Sequence, residues 1–218
     1  MDELLIEKIQ ASESDEVAGI LTDAFITNPA YSLIFIKENE RREGLCRLFK
    51  TSLLILNQKQ ALTNVIKEKE TGKIIGAFTL IPPQGVKTGF SVYLEAGILR
   101  FILKFGIATL SRMLRLDEIN KNTLKEAMAA SEYYYLSMVA IREEYRGKGI
   151  GSHAISNAIQ TLVSSKPACR LLGLTTQLAE NKLFYSRLGF TTLSEGEIDF
   201  KGEKYYNYNM KLDLLDRR

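Results

Sequence analysis

The chain is predicted to be an α/β (α+β) protein with a mixed central sheet of about seven strands, flanked by helices on both faces. Three observations predict it. Short β-like runs alternate with stretches of helical periodicity along the whole chain. One pair of runs is joined by a tight turn, Lys69-Glu70-Thr71-Gly72, which implies antiparallel pairing. Finally, a strand, a glycine-rich turn and an amphipathic helix follow one another without interruption between residues 133 and 162.

The first strand is expected from Leu4 to Ile9. Ser12-Glu13-Ser14-Asp15 then offers capping oxygens to a helix in which Val17, Ile20, Leu21, Ala24 and Phe25 recur at helical spacing. Asn28-Pro29 should end that helix. A second helix is expected from about Asn39 to Asn57, with Leu45, Leu48, Phe49, Ser52, Leu53 and Leu56 on one face. Ala61 to Glu68 and Lys73 to Ile81 are the two strands of the hairpin. From about residue 91 to 130 the pattern turns helical again, which makes a helical insert before the central strand. Tyr133 to Ile141 is that strand, and the helix after the glycine turn carries Ile150, Ala154, Ile155, Ala158, Ile159 and Leu162 on one face. A strand from Arg170 to Thr175, a short helix from Ala179 to Leu188, and strands near Phe190 to Glu195 and Lys204 to Leu212 complete the order.

Composition narrows the function. With 218 residues, 45% hydrophobic and 25% charged, the chain can bury a sizeable core, and collagen-like or wholly disordered classes are excluded. No repeat, linker or composition shift divides it, so residues 1–218 are expected to form a single domain. The net charge is only +3 and the charges are scattered, so no nucleic acid partner is implied. Two cysteines, Cys46 and Cys169, and one histidine provide neither a disulfide framework nor an ordinary zinc set, and no metal is expected. The acidic start Met1-Asp2-Glu3 is unlike a signal peptide. An uncharged run such as residues 74–86, with Pro82-Pro83 inside it, falls far short of the roughly 20 apolar residues of a membrane span. A reducing cytoplasm is the expected compartment.

The most informative segment is Tyr145-Arg146-Gly147-Lys148-Gly149-Ile150-Gly151-Ser152, between a strand and an amphipathic helix. The first turn of a helix has amide donors without internal partners and the positive end of the macrodipole, so a phosphate can be bound by main chain alone. Arg146 and Lys148 would add charge. A P-loop requires four residues between its first Gly and a Gly-Lys-Ser/Thr end, which no alignment of these residues provides. A dinucleotide fingerprint requires Gly-x-Gly-x-x-Gly and an acid about 20 residues on. Here the glycines fall at 147, 149 and 151, and position 169 is Cys. A glycine-rich turn selected only for tight packing of helix on sheet is the alternative.

Arg146-Gly147-Lys148-Gly149-Ile150-Gly151 resembles the Arg/Gln-x-x-Gly-x-Gly/Ala signature of the GNAT acyltransferase superfamily, whose loop holds the pyrophosphate of acetyl-CoA. Upstream, Tyr134-Tyr135-Leu136-Ser137-Met138-Val139-Ala140-Ile141 looks like the family's central strand, which splays from its neighbour. Downstream, Ala179 to Phe190 is similar to the family's second block: an Asn on a short helix, an aromatic-Tyr pair, and Leu188-Gly189-Phe190. The resemblance covers about residues 130 to 195, and residues 85 to 130 depart from a minimal domain of this family. Ala24-Phe25-Ile26-Thr27-Asn28-Pro29, taken with the insert, looks most like the puromycin N-acetyltransferase-like branch.

The resemblance implies the GNAT fold and transfer of an acetyl group from acetyl-CoA to a primary amine of a small molecule or peptide. It implies that main-chain groups of Met138, Val139 and Ile141 meet the thioester and pantetheine, and that Arg146, Gly147, Lys148, Gly149, Ile150, Gly151 and Ser152 hold the pyrophosphate. Asn181 and Phe184 would contact the cofactor arm. Tyr185, one helical turn after Asn181, would be the general acid at the sulfur. Tyr185 can also be read as an aromatic core residue beside Phe184 and Leu188, and Asn181 as a helix-surface amide. A non-catalytic acyl-CoA-binding sensor of the same fold is the rival function.

No general base stands out. Glu95 and Glu132 are candidates among 26 acids, and a water chain is a third. His153 reads as a helix-face residue and Cys169 as packing. Tyr133, Tyr134, Tyr135, Tyr205, Tyr206 and Tyr208 line either an acceptor pocket or a half-exposed sheet. The insert, with its apolar stripe and basic flanks, is read as a substrate lid, a homodimer surface or a membrane-surface helix, and a lid or core-packing role leads.

Overall fold

The computed structural model describes residues 3–58, 60–86, 89–129, 131–165 and 170–214. Seven strands form one sheet: β1 Leu4–Lys8, β2 Thr63–Glu68, β3 Ile74–Ile81, β4 Tyr134–Ile141, β5 Leu171–Thr176, β6 Thr191–Phe200 and β7 Glu203–Asp213. Their spatial order is β1-β2-β3-β4-β5-β7-β6. Only β4 and β5 run parallel; every other neighbouring pair is antiparallel. The sheet is therefore mixed, as the sequence predicts, and β6 continues five residues beyond the expected end at Glu195.

One face of the sheet is covered by α1 Ser14–Phe25, α2 Pro29–Ile34, α3 Glu38–Asn57 and the insert helices. Val17, Leu21, Ile34, Leu45, Phe49 and Leu53 supply much of that core. The other face is covered by α7 Ile150–Ser165 and α8 Ala179–Arg187, whose Ala154, Ile155, Ile159, Leu162 and Tyr185 pack on Phe78, Leu136, Leu172 and Met210. The apolar stripes read from helical spacing are the buried ones, because burying them is what holds these helices to the sheet.

The segment at Asn28-Pro29 closes the first helix as expected, α1 ending at Phe25, and also opens a helix that the sequence reading did not include. It separates two helices: Asn28 caps α2, its Oδ1 accepting the Ala30 N–H at 3.0 Å, and Pro29 occupies the first turn, where no amide donor is needed. The insert is three helices, α4 Phe90–Glu95, α5 Ile98–Phe105 and α6 Ile107–Ala127. Gly97 (φ +84°) and Gly106 (φ +81°) provide the left-handed breaks between them. Its inner side joins the core: Phe35 meets Phe101 and Phe105 at centroid distances of 6.2 and 5.7 Å. Its outer side exposes Leu99, Leu103 and Ile107.

Two features of β4 position the site. Ala77 pairs with Ala140 and Thr79 with Ser137, so Met138 and Val139 together stand opposite Phe78. This bulge places Met138 at φ +50°, a conformation that costs a side-chain-bearing residue about 1–2 kcal/mol. On the other edge, β4 pairs with β5 only at Tyr134↔Leu172 and Tyr135↔Gly173. Beyond Tyr135 the two strands part.

Among the described residues, no helix is long and apolar enough to cross a membrane, and no group of three or more His, Cys, Asp or Glu could hold a metal ion.

Candidate functional site

The chain leaves β4 at Ile141, makes a single 3-10 turn at Glu143–Tyr145, and enters α7 through Gly147 and Gly149, both at φ +75°. A Cβ at either glycine would meet nothing within 4 Å, so backbone conformation selects glycine there and the space beside the loop is open. The first main-chain bond of α7 runs from His153 N–H to Gly149 C=O at 3.0 Å. Among the described residues, the amides from Gly147 to Ser152 find no main-chain acceptor. Donors facing open space at the positive end of a 16-residue helix, with Arg146 and Lys148 beside them, fit a diphosphate. Gly151 has a different reason for being small. A Cβ there would touch Phe184 at 3.5 Å and Ile141 at 3.6 Å, so this glycine seats α7 against α8 and β4.

The basic side chains are held. Arg146 Nε donates to the Ile141 carbonyl at 2.9 Å, which occupies one acceptor of the expected pantetheine edge. Lys148 Nζ lies 5.0 Å from the centre of the Tyr145 ring, and Lys73 Nζ lies at the same distance. Tyr145 donates its hydroxyl proton to Glu68 at 2.8 Å.

On α8, Asn181 donates from Nδ2 to Thr176 Oγ1 at 3.2 Å, which fixes its amide and leaves Oδ1 free of donors among the described residues. Tyr185 is only 8% exposed, its ring set between Phe184 and Phe190 at centroid distances of 5.0 and 5.6 Å. Its hydroxyl makes no hydrogen bond within the described residues. Burial first, and then the neighbouring Tyr135, hold this phenol protonated well above the ordinary tyrosine range. The ring is therefore a core residue and the hydroxyl remains uncommitted.

Tyr134 and Leu136 belong to the core on the α7 side, so strand alternation directs Tyr135 to the opposite face, toward α2 and α6. There it joins residues that sequence reading missed. Burial first, and then the charge of Asp117 on α6, raise the Tyr135 phenol to about 12 against a hydrogen bond with Thr175, and burial likewise drives the Tyr31 phenol of α2 upward. Tyr31 lies in the segment read as a helix end, and Asp117 is one acid among 26, so neither had a distinguishing signal. A chain of amides backs this face: Asn28 Nδ2 donates to Gln177 Oε1 at 3.1 Å and Gln177 Nε2 to Asn207 Oδ1 at 3.0 Å. Asn209 accepts from Thr175 at 3.0 Å and donates to Ser194 at 3.0 Å. Buried amides are costly unless paired, so this network fixes α2 relative to β5, β6 and β7.

The remaining candidates lie elsewhere. Glu95 is on the surface, accepting from Gln58 at 3.4 Å, and Glu132 is exposed ahead of β4. His153 is a half-buried residue of α7, and Cys46 is a free thiol of α3. Cys169 lies outside the described residues. Tyr133 packs over Gly173; Tyr205 donates to Asn120 at 2.7 Å; Tyr206 and Tyr208 stack on each other, 4.8 Å apart, with Lys182 over Tyr208. Of the six tyrosines considered from sequence, Tyr134 and Tyr208 pack against the core cluster that contains Tyr185.

The fold is shared with known acetyltransferases. A histone acetyltransferase HPA2 and related acetyltransferase from Corynebacterium glutamicum superposes with a TM-score of 0.62 at 18% identity, over 96% of this chain and 95% of that one. Arylalkylamine N-acetyltransferase 2 from Aedes aegypti gives 0.61 at 14% identity, over 97% and 99%. The Salmonella typhimurium protein yncA, solved with its cofactor acetyl-CoA, gives 0.53 at 13% identity, over 97% and 94%. No curated protein matches the chain by sequence at a significant level. Residues 114–192, from α6 through the start of β6, match the family model of the acetyltransferase (GNAT) domain. That match covers the part of the fold that holds the glycine turn, and the fold as a whole is the one seen in these acetyltransferases.

Proposed function

We propose that the whole chain works as one cytoplasmic N-acetyltransferase domain, moving an acetyl group from acetyl-CoA to a primary amine. The observation that carries the reading is the parting of β4 from β5 after Tyr135, directly ahead of the open amides of α7. When bound, acetyl-CoA supplies an acetyl group activated as a thioester. The amides from Gly147 to Ser152 bind diphosphate, and Arg146 and Lys148 add charge. Main-chain groups of Met138, Val139 and Ile141 offer hydrogen bonds along the parted strand, although the Ile141 carbonyl is taken by Arg146. Asn181 Oδ1 accepts from an amide, and Phe184 packs beside it.

Tyr185 holds a proton at Oη. In the transfer a C–N bond forms and the C–S bond breaks. The amine nitrogen loses a proton to solvent while the departing sulfur takes one, a proton we assign to Tyr185, which regains one from solvent. A phenol kept protonated by burial suits that role, and a thiol with a pKa near 8.5 leaves readily enough that the acid assists without being indispensable. Glu95 and Glu132 both lie exposed, so we assign the amine proton to a water route.

Thiol release from acetyl-CoA, measured with a panel of primary amines, tests the reading. Amine-dependent release is expected. Coenzyme A binding without release on any amine would instead favour the non-catalytic sensor.

A further inference from the structure

The inner side of the insert is tied down. Phe101 and Phe105 of α5 lie on Phe35, Thr51 Oγ1 donates to the Ala96 carbonyl at 3.1 Å, and Arg112 Nε donates to the Ile34 carbonyl at 3.0 Å. These contacts hold α5 and α6 to α2 and α3, so the outer side is a fixed surface. There Leu99, Leu103, Ile107 and Leu114 are 59, 86, 65 and 57% exposed. Leu99 and Leu103 are one turn apart on α5, and Ile107 and Leu114 are two turns apart on α6. An open trough of about 580 Å³ on α6 is lined by Ile107, Leu110, Ser111, Leu114, Arg115 and Glu118. Single exposed leucines are ordinary; four large apolar side chains between residues 99 and 114 are a concentration that marks an interaction surface.

The charges within this stretch have one sign. Residues 96–116 contain Arg100, Lys104, Arg112 and Arg115 and no acid. Arg112 is committed to α2, and Lys104 pairs with Glu43 of α3. Arg100 and Arg115, each next in sequence to an exposed leucine, make no hydrogen bond or ion pair among the described residues. We propose that the outer face of α5 and α6 rests on a bilayer surface rich in anionic lipid, with the four apolar side chains entering the headgroup boundary and Arg100 and Arg115 meeting lipid phosphates. Interfacial binding draws on both features at once: apolar area leaves water, and long basic side chains reach from the apolar layer to the anionic one. The same charges oppose a second copy of the chain. Two such faces in contact would bring arginines together with no acid of residues 96–116 to meet them, and of the acids at the margins Glu95 already accepts from Gln58 and Asp117 from Lys121. The insert covers the sheet face opposite α7, so this surface is separate from the glycine turn.

The chain contains no tryptophan, so Leu103→Trp places a single fluorescent reporter at the most exposed of these positions. Vesicles of phosphatidylcholine with about a third phosphatidylglycerol are expected to shift its emission to shorter wavelength and to carry the parent chain upward in flotation, whereas phosphatidylcholine alone should bind at least about tenfold more weakly. Arg100→Gln with Arg115→Gln should weaken binding to the mixed vesicles about twentyfold, near fivefold for each charge. Leu103→Ser with Ile107→Ser should weaken it about tenfold. All four side chains are exposed, and urea midpoints equal to that of the parent show that both double variants fold. No flotation of the parent chain, or equal binding to the two kinds of vesicle, would overturn the proposal. So would full binding by the serine variant, which would reduce the contact to charge attraction. In lipid-free sedimentation velocity the serine variant is expected to match the parent; an assembly that it dissociates would assign the face to a second copy and overturn the bilayer. Flotation without thiol release on any amine would keep this surface and overturn the acetyltransferase reading, and thiol release without flotation would do the reverse.

Discussion

The ring of Tyr185 fills space between Phe184 and Phe190 while its hydroxyl makes no hydrogen bond in the described residues, so removing one oxygen separates packing from chemistry. Tyr185→Phe is expected to lower kcat about ten- to a hundredfold in the thiol-release assay, below the upper range for general acids because the thiolate leaves easily, with coenzyme A affinity within about twofold. Unchanged kcat would remove the acid role. Gly149 separates conformation from volume in the same way. Gly149→Ala adds a Cβ that touches nothing but must hold φ +75°, at a cost of about 1–2 kcal/mol. Calorimetry should show coenzyme A binding weakened about tenfold, and undiminished affinity would show that the loop does not hold the ligand. At this scale the sequence was readable where spacing requires a conformation, as in the left-handed Gly147 and Gly149 ahead of α7 or the short helix that carries Asn181 and Tyr185. It was silent on Tyr31 and on Asp117, whose charge reaches Tyr135 only when α6 and β4 fold together.

Among the elements, the insert depends on one close approach. Gly44 of α3 faces the Phe35 ring, where a Cβ would lie only 2.2 Å from a ring carbon. Phe35 in turn supports Phe101 and Phe105 of α5, themselves 4.9 Å apart. Gly44→Ala is therefore expected to displace the ring and destabilise the fold by about 1–3 kcal/mol, measured as a lower midpoint in urea unfolding. A midpoint equal to that of the parent would mean that Phe35 yields freely. Periodicity revealed that the insert is helical, because apolar spacing survives in any packing. Its division into three helices rests on Gly97 and Gly106, whose left-handed conformation one sequence does not disclose. Asn28-Pro29 marked the end of α1 but not the start of α2, since the same pair can close one helix and open another, and here Asn28 caps α2.

Across the whole molecule, buried phenols couple stability to pH. Burial lifts Tyr135 and Tyr205 to about 12 and drives Tyr31 and Tyr185 upward as well. Above pH 10 the unfolded chain releases these protons while the folded chain retains them. The stabilisation is complete below about pH 10 and is lost as pH rises toward the folded values. Thermal melts should show Tm falling above pH 10, with a shallower fall in Tyr135→Phe; an unaltered slope in that variant would place the cause elsewhere. The mixed sheet was legible from the succession of elements, since alternation of periods determines layers, whereas the spatial order of its strands was not. The bulge at Met138 was not, because it arises from two residues of β4 facing one of β3. A crystal structure of the chain with coenzyme A tests the central claim most directly. The diphosphate is expected on the amides of residues 147–152, with the sulfur between the parted strands beside the Tyr185 hydroxyl. Coenzyme A bound at any other surface would contradict it.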